Sequence, residues 1–374
     1  MRKIVVIGGG KIGGVIAQML VESGDYEVTV VDRSASALEG LILHPRLSPS
    51  ALDITDAAAL DTALSGAFAV LSAAPFHLTG AVAQSAARVG CHYLDLTEDV
   101  ATTRMVKDLA QDAGGAFIPQ CGLAPGFISI AGADLARGFD QVEELRLRVG
   151  ALPRYPSNSL GYNLTWSTEG VINEYCEPCE ALVDGELRQV PALEGLETFS
   201  LDGVTYEAFN TSGGLGSLAE VLAGKALNLN YKSVRYPGHC ALMRTLLNDL
   251  DLRHRRHLLK DVLEGAVPGT EQDVVVFFVT ASGWRNGRLM QESYAGKVLG
   301  EHHGKGFWSA IQVTTAAGIC TVLDLLAAGR LPSRGYVRQE EIALADVLSN
   351  RFGKAYRQPG DHPAEEARHI AEVA

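Results

Sequence analysis

The chain has 374 residues, of which 47% are hydrophobic and 20% charged, and its formal net charge is −12 at pH 7. This length exceeds what one average hydrophobic core accommodates, so two folded domains are predicted. The acidic balance argues against a nucleic-acid partner, because phosphate binding needs a concentrated basic face.

Targeting and cysteine patterns exclude further classes. No signal-peptide pattern precedes the first strand, and no run reaches the roughly 20 apolar residues of a membrane span. The most apolar long stretch, residues 311–328, contains Thr, Gln, Gly and Asp and predicts a buried helix. Six cysteines in a chain this long do not indicate a disulfide framework, and the lone CEPC pair at 176–179 predicts no metal site. We expect a cytoplasmic protein without a membrane partner.

The first 125 residues alternate between apolar strands and helices, which is typical of a parallel sheet built from β-α-β units. The continuous apolarity of these strands indicates that both faces of the sheet are covered. A helix is predicted over residues 56–64. The predicted strands lie in the segments KIVVIG, EVTVVD, LSPSALDI, AFAVLSAAP, CHYLDLTED and GAFIPQCGLAPG. The sequence therefore predicts an α/β fold with an N-terminal Rossmann domain, a doubly wound parallel sheet, over residues 1–125.

Beyond residue 125 the pattern changes to alternating strands such as EELRLRVG and DVVVFFVTASG. The pairs Asp184–Gly185, Asp202–Gly203 and Asn286–Gly287 accept the positive φ values of two-residue hairpins. Residues 126–306 are thus predicted to form a second α+β domain on a mainly antiparallel sheet, interrupted by a helical stretch near 239–263. We expect this domain to bind the substrate and to form the interface of a homodimer or higher multiple.

The C-terminal part of the chain returns to helical patterns. Helices are predicted from 307 to 328 and from 340 to 350. We expect residues 307–374 to pack against the Rossmann domain and complete it, which would make that domain discontinuous.

A glycine-rich motif, GGGKIG at residues 8–13, follows the first strand and opens a helix. In this motif Gly8 permits the tight turn, Gly10 lets the backbone approach a pyrophosphate, and Gly13 lets helix and strand pack closely. Asp32 ends the second strand, where a carboxylate accepts the ribose hydroxyls and repels a 2′-phosphate. NAD is therefore the expected cofactor, and NADP is possible because Arg33 can offset the repulsion. The alternative is a glycine turn that binds no nucleotide.

The nicotinamide half of the cofactor is expected at the carboxyl ends of the later strands, since ligands of such sheets gather there. The segments 73–77 and 121–126 end the fourth and sixth strands. The full set of predicted cofactor-contacting residues is Gly8, Gly10, Lys11, Ile12, Gly13, Asp32, Arg33, Asp53, Ala74, Pro75 and Cys121.

Several longer motifs resemble the saccharopine dehydrogenase family, and within it the L-lysine 6-dehydrogenases. They are CGLAPG, LGYNLTWSTEGVINEYCEP, FNTSGGL, YKSVRYPGH and KGFWSAIQVTTAAGI. Glutamate-forming saccharopine reductases usually have an aspartate before the proline of the first motif, and here Ala124 precedes Pro125. The resemblance implies an NAD-dependent amino-acid dehydrogenase that deaminates the ε-amine of L-lysine. Hydride transfer to nicotinamide would give the 6-semialdehyde, which cyclises to piperideine-6-carboxylate.

Such a reaction needs a neutral amine, whereas a lysine ammonium has a pKa near ~10.4, so a base or desolvation is required. Arg235, at the end of an apolar strand, is predicted to bind the α-carboxylate, and His239 to act as acid or base. Glu169 is predicted to receive the α-ammonium or act as the base, with Glu174 as its competitor. The alternatives are an ion pair within the sheet for Arg235 and a helix cap for His239. The predicted pocket-lining residues are Tyr162, Trp166, Asn173, Thr211 and Ser212.

Three other functions remain open from the sequence. The first is a dehydrogenase for saccharopine or another substituted amino acid. The second is a nucleotide-binding scaffold without catalysis. The third is an NADP-linked reductase that runs only toward amine formation.

Overall fold

The computed structural model describes residues 1–304 and 306–359, and the chain divides into two compact units. Unit 1 comprises residues 1–130 and the chain from 312 onward, and unit 2 comprises residues 131–311. The sequence-predicted domain limits lie five residues before each of these boundaries. The part of the predicted C-terminal return beyond residue 359 lies outside the described residues.

The N-terminal part of the chain alternates regularly between strands and helices. Its strands are β1 (Arg2–Ile7), β2 (Tyr26–Asp32), β3 (Leu47–Ala51), β4 (Ala69–Ser72), β5 (His92–Asp95) and β6 (Ala116–Ile118). Its helices are α1 (Lys11–Ser23), α2 (Ala35–Glu39), α3 (Ala57–Leu64), α4 (Phe76–Val89), α5 (Val100–Leu109) and α6 (Phe127–Arg137). The apolar run 4–7 of β1 is wholly buried. Asp56 begins α3 by accepting hydrogen bonds from the amides of Ala58 and Ala59, as expected of an N-cap carboxylate.

Unit 2 is organised around long strands. Its strands are β7 (Gln141–Pro153), β8 (Cys179–Val183), β9 (Glu186–Val190), β10 (Glu197–Leu201), β11 (Val204–Asn210), β12 (Ala226–Arg235), β13 (Asp273–Arg285), β14 (Arg288–Leu299), β15 (Glu301–His303) and β16 (Gly306–Trp308). Its helices are α7 (Thr168–Cys176), α8 (Leu218–Leu222), α9 (His239–Arg244) and α10 (Arg256–Ala266). The main sheet has the order β10-β11-β12-β7-β13-β14, with β8 pairing with β12 and β9 pairing with β8.

This sheet is mainly antiparallel, as predicted, with one parallel pair between β7 and β12. The three predicted hairpin turns have the expected backbone. The φ values are 53° and 82° at Asp184–Gly185, 50° and 76° at Asp202–Gly203, and 52° and 72° at Asn286–Gly287. Positive φ at both central residues matches the right-handed twist of the flanking strands.

The C-terminal segment contains α11 (Ala310–Ala327), β17 (Gly335–Tyr336) and α12 (Leu344–Ser349). Strand β17 pairs parallel to β6, so the sheet of unit 1 has the order β17-β6-β5-β4-β1-β2-β3 with every pair parallel. This is a Rossmann order with an added edge strand. The two residues of β17 are too few to show a periodic pattern, and the sequence did not predict it.

Two predicted helix boundaries were wrong. Residues 306–308 form β16, which pairs with β15, so the first C-terminal helix begins only at Ala310. The helix predicted over 340–350 is a short 3₁₀ turn followed by α12. Among the described residues one helix, α11, is long and apolar enough to cross a membrane, and 72% of it is buried inside the structure.

Candidate active site

The turn between β1 and α1 shows which glycines the backbone requires. Gly8 has a φ of 101°, and a Cβ there would lie 2.8 Å from the Ala73 oxygen at the end of β4. A Cβ on Gly13 would lie 1.8 Å from the Gly8 oxygen. Gly10 differs, because a Cβ there would meet no atom of the described residues within 4 Å. Gly8 and Gly13 therefore serve the fold, and the open space at Gly10 fits the pyrophosphate contact predicted for it.

Helix α1 begins at Lys11, and within residues 1–304 and 306–359 no side chain caps its first turn. The amides of Lys11, Ile12 and Gly13 belong to that turn, whose N–H groups point out of the helix and carry the positive end of its dipole. An anion is the natural partner for such groups. These three residues fit the phosphate-binding role predicted for them.

Asp32 lies at the end of β2 and is held by two backbone amides. Its Oδ2 accepts from the Gly9 amide at 2.7 Å, and its Oδ1 accepts from the Ser34 amide at 2.8 Å. Each carboxylate oxygen has further lone pairs for a ribose hydroxyl. Arg33 beside it is exposed. A carboxylate at this position fits NAD better than NADP, because it would repel the 2′-phosphate of NADP.

Three other predicted cofactor contacts have different surroundings. Ala74 and Pro75 follow β4, and Pro75 occupies the N-cap position of α4. Because Ala73 meets Gly8, the structure brings the end of β4 to the glycine loop. Asp53 is exposed, and hydrogen bonds from the Thr55 amide and hydroxyl lower the pKa of its carboxyl.

The side chain of Cys121 is not part of the cofactor surface, which corrects the prediction made for it. The residue is wholly buried, its Sγ lies 3.0 Å from the Ile118 oxygen, and the Gln339 amide donates to the sulfur at 3.2 Å. Burial raises the pKa of this thiol. Strand β6 ends at Ile118 rather than continuing through Cys121, and the chain then folds its small side chain inward.

In unit 2, the two glutamates of helix α7 lie on different sides of the helix. Its buried positions include Val171, Glu174 and Tyr175, which lie on one face at i, i+3 and i+4. Glu169, five residues before Glu174, points about 140° away on a helix. It is 59% exposed and pairs with Lys260. The exposure of Glu169 corrects the catalytic role predicted for it, whereas its competitor, Glu174, lies on the buried side of α7.

Arg235 ends β12 and is 2% exposed. Its Nε donates to the Tyr175 hydroxyl at 2.8 Å, and its Nη1 donates to the Val234 oxygen at 2.8 Å. The guanidinium carbon lies 5.2 Å from the centre of the Tyr162 ring and 5.7 Å from that of Tyr175. Burial lowers the pKa of Arg235, but Tyr175, Tyr162 and Glu174 outweigh it and the net pKa is raised. The guanidinium thus stays charged.

Glu174 is 7% exposed, and among the described residues its carboxyl group makes no hydrogen bond. Burial raises the pKa of this carboxyl to about 7, and the charge of Arg235 acts in the opposite direction. The two side chains form no direct ion pair, so each keeps bonding capacity for another group. The peptide oxygen of Glu174 accepts from the Ser212 amide at 3.0 Å, which ties α7 to the loop after β11.

His239 begins α9 and is 2% exposed. Its Nε2 lies 3.0 Å from the Tyr175 hydroxyl, and its Nδ1 lies 2.9 Å from the Leu160 oxygen. Burial and then the charge of Arg235 lower the pKa of the imidazole to about 3. Both ring nitrogens are therefore occupied by protein groups. These side chains belong to one buried cluster, which we call the Arg235 pocket; its members are Tyr162, Glu174, Tyr175, Arg235 and His239.

The other predicted lining residues divide into two groups. Thr211 hydrogen-bonds Ser233 at 2.7 Å, and its neighbour Ser212 reaches α7 through its backbone. Trp166 packs so closely on Gly170 that a Cβ there would lie 2.4 Å from its ring, which is a packing role. Asn173 accepts from Arg256 at 3.1 Å on the outer side of α7 and is not part of the pocket.

The comparisons with known proteins agree with this geometry. A family model described as the saccharopine dehydrogenase NADP binding domain matches residues 4–118. A second, described as the saccharopine dehydrogenase C-terminal domain, matches residues 122–355. The chain belongs to the saccharopine dehydrogenase family. This confirms the family predicted from the motifs, and residues 4–118 of unit 1 form its NAD(P)-binding domain.

Among curated relatives, the NADP⁺-dependent, L-glutamate-forming saccharopine dehydrogenase of Pyricularia oryzae is 26% identical over 267 residues. That match covers 66% of this chain and 57% of the relative. The enzyme of the same name from Saccharomyces cerevisiae is 23% identical over 203 residues, covering 53% of this chain and 46% of the relative. This family member thus spans about half the length of the curated relatives it matches.

Two solved structures share the fold of this saccharopine dehydrogenase family member. The apo L-glutamate-forming saccharopine dehydrogenase of Saccharomyces cerevisiae has a TM-score of 0.76 at 16% identity, covering 94% of this chain and 98% of that one. The homospermidine synthase of Legionella pneumophila in complex with NAD has a TM-score of 0.61 at 13% identity, covering 95% and 89%. At these identities the likeness concerns the fold alone.

Tyr175 is the pocket residue that the sequence analysis did not predict as part of the site. The helical period of α7 contained the signal, because Thr168, Val171, Ile172 and Tyr175 follow the spacing of one buried face. Glu169 and Glu174 lie on opposite flanks of that face, so periodicity alone does not show which of the two carboxylates is buried. Among residues 1–304 and 306–359, no group of three or more His, Cys, Asp or Glu side chains is placed to hold a metal.

Proposed function

We propose that this protein is an NAD-dependent dehydrogenase that oxidises the ε-amine of L-lysine to the 6-semialdehyde. The observation that carries the proposal is the Arg235 pocket, where a buried guanidinium and a buried, unbonded carboxyl lie near each other without pairing. An α-amino acid presents a carboxylate and an ammonium on one carbon. Arg235 binds the first and Glu174 the second, since each group then satisfies a buried charge.

The number of available cations supports free lysine. Among its described residues, unit 2 buries three Lys or Arg side chains, which are Arg148, Lys232 and Arg235. Arg148 and Lys232 both pair with Glu197. Arg235 alone among these three has no ion pair with a protein carboxylate. One cation suits the single carboxylate of lysine, whereas saccharopine carries three carboxylates that all need partners.

The chemistry balances with the groups proposed. The ε-ammonium of lysine first loses a proton to solvent water, and the nitrogen lone pair then forms the C=N bond as hydride leaves the ε-carbon. A bound nicotinamide supplies the hydride acceptor. Water adds to the imine carbon and ammonia leaves, which gives the aldehyde. Arg235 and Glu174 hold the other end of the substrate and orient it, which lowers the entropic part of the barrier.

A saccharopine-type substrate is the second candidate, and the names of the curated relatives favour it more directly than they favour lysine. Those relatives are L-glutamate-forming saccharopine dehydrogenases. The same pocket would then hold one amino-acid end of a secondary amine. Ala124, where such enzymes usually have an acid, supports the lysine assignment.

The experiment measures the absorbance of reduced nicotinamide in reactions that contain the purified protein. NAD and NADP are each tested with lysine, saccharopine and ornithine. NADH formation with lysine is the expected result. Turnover of saccharopine but not lysine would transfer the assignment to the second candidate. Tight NADH binding without turnover of any amine would instead support a nucleotide-binding scaffold.

A further inference from the structure

We propose that His239 is a positioning residue, whose neutral ring orients the Tyr175 hydroxyl and through it holds Arg235 in place for the substrate carboxylate. Only the identity of the group that Arg235 binds depends on the proposed function. The inference itself concerns a directed chain of hydrogen bonds from Leu160 to Arg235, all within unit 2. It replaces the acid–base role that the sequence suggested for His239.

The direction of the chain is set at its first end by a carbonyl. The Leu160 oxygen can only accept, and it lies 2.9 Å from His239 Nδ1. His239 Nδ1 must therefore carry a proton. In a neutral imidazole the other nitrogen, Nε2, is then an acceptor. Its neighbour at 3.0 Å is the Tyr175 hydroxyl, which donates to it.

The direction is set independently at the other end by the guanidinium. Arg235 has no acceptor, so its Nε donates to the Tyr175 oxygen at 2.8 Å. Tyr175 consequently accepts from Arg235 and donates to His239, which uses its single proton. A protonated His239 would aim a second N–H at that same oxygen and leave the Tyr175 proton without its acceptor. The two ends therefore agree on a neutral ring.

This series of hydrogen bonds decides which edge of the Arg235 guanidinium can bind a carboxylate. Of the five guanidinium N–H groups, Nε serves Tyr175 and one on Nη1 serves the Val234 oxygen. The remaining N–H groups are on Nη1 and Nη2, which together present the forked geometry that a carboxylate accepts. With Nε and one Nη1 proton engaged, the guanidinium cannot rotate that edge away.

Other groups hold the His239 imidazole and the backbone on either side of it in place. Glu207 on β11 accepts from the amides of Gly238 at 2.8 Å and Cys240 at 2.6 Å, on either side of His239. The ring of Phe209 stacks on the imidazole with centroids 6.2 Å apart and planes inclined by 12°. Burial and the nearby charge of Arg235 both lower the pKa of His239, which agrees with the neutral ring required by geometry.

The first test reads the tautomer directly. The full-length protein has 10 histidines, all of which give NMR signals after labelling with ¹⁵N-histidine. The signal that is missing from the spectrum of the His239→Gln variant belongs to the His239 ring. We expect this ring to be neutral with the proton on Nδ1 at every pH from about 5 to 9. A proton on Nε2, or a titration of this signal near neutral pH, would overturn the proposal. No substrate is needed, so the result stands apart from the fate of the proposed function.

The second test uses substitutions and the substrate identified by turnover. Tyr175→Phe and His239→Leu should each raise KM for the amino acid about tenfold, because one bond to a charged group is lost or loosened. The value of kcat should stay within about threefold, since neither residue exchanges protons with the substrate. His239→Gln keeps an acceptor for Tyr175 and should recover most of the KM. Tyr206→Phe is the matched control, because Tyr206 is a buried tyrosine that does not belong to this series of hydrogen bonds.

A different pattern would show that His239 is a catalytic acid or base. His239→Gln would then lose kcat as fully as His239→Leu, and the pH profile of kcat would lose one inflection.

The double variant Tyr175→Phe/His239→Leu tests whether the two residues act together. Its effect on KM should differ from the sum of the two single effects, since both changes break the same series of hydrogen bonds. Additive effects would contradict that connection.

Discussion

In unit 1 the groups predicted to contact the phosphates and the ribose come from residues 8–34, within a single β-α-β segment. The Arg235 pocket of unit 2 instead draws on α7, β12, α9 and the segment around residue 160, which are separated by up to 79 positions. The first site depends on backbone amides and on the absence of side chains. The second depends on buried side chains that hold one another, so single substitutions affect the two sites in different ways.

The largest effect is expected from Gly13→Ala. The new Cβ would lie 1.8 Å from the Gly8 oxygen, so the loop or the helix must move. We expect the free energy of unfolding to fall by about 3 kcal/mol and NADH binding to be lost. Gly10→Ala is the matched variant, because its Cβ would have no atom within 4 Å in the part of the chain that the structure describes. It should unfold like the wild type yet bind NADH weakly in a fluorescence titration; unchanged affinity would argue against the pyrophosphate site.

Arg235→Lys should be next in size. It retains the charge but loses both the bond to Tyr175 and the forked donors, so kcat/KM for the amino acid should fall about 100-fold, or about 3 kcal/mol. NADH affinity should not change. Arg188→Lys, at an exposed arginine of the same unit, is the control. Equal kinetics for wild type and Arg235→Lys would remove Arg235 from carboxylate binding.

Glu174→Gln should separate stability from substrate binding. Burial raises the folded-state pKa from its ordinary value of 4.5 to about 7. Between these pH values the unfolded chain releases the proton and the folded chain keeps it. The free energy of unfolding therefore falls as pH rises through this window, by up to about 1.4 kcal/mol per pH unit. Denaturation of Glu174→Gln at pH 5 and pH 8 should lack this contribution.

The same variant should raise KM for the amino acid about tenfold at pH 8, because the charge that receives the ammonium is gone. The wild type should lose the same affinity as pH falls below about 7 and Glu174 takes up its proton. Glu169→Gln alters an exposed glutamate of the same helix. It should change neither stability nor KM, and an equal effect there would refute the distinction between the two faces of α7.

Asp32→Asn should have the smallest effect. Loss of the negative charge at the end of β2 removes repulsion of a 2′-phosphate, so the ratio of NADP to NAD affinity should rise about tenfold. Asp112→Asn removes one exposed charge elsewhere in unit 1 and serves as the control. An unchanged ratio in Asp32→Asn would mean that another group selects the cofactor.

The sequence was a good guide wherever structure is local. Strand and helix order in unit 1 followed from continuous apolar runs and from the helical stretches between them. The three hairpins of unit 2 followed from Asp-Gly and Asn-Gly pairs, since positive φ restricts the residue type. The two-residue strand β17 and the strand β16 were not predicted, because so few residues carry no period and pairing with distant strands decides them.

The predicted site divides along the same line. The glycine motif and Asp32 could be assigned from the amino-acid sequence, because backbone crowding and the end of β2 are properties of one short segment. Arg235 and His239 were identified as candidates, but their relationship was not. Choosing Glu174 over Glu169 required the orientation of α7, and the exclusion of Cys121 from the cofactor surface required its burial beside Gln339.

The amino-acid sequence by itself therefore determined the α/β architecture, the nucleotide loop and the residue types available for an amino-acid substrate. Only the tertiary structure decided that Tyr175 joins Arg235 to His239 and that Glu174 is buried near the guanidinium without pairing with it. The physical reason is that local steric rules act within a few residues. Burial, hydrogen-bond direction and pKa depend on groups that the folded chain brings together from distant positions.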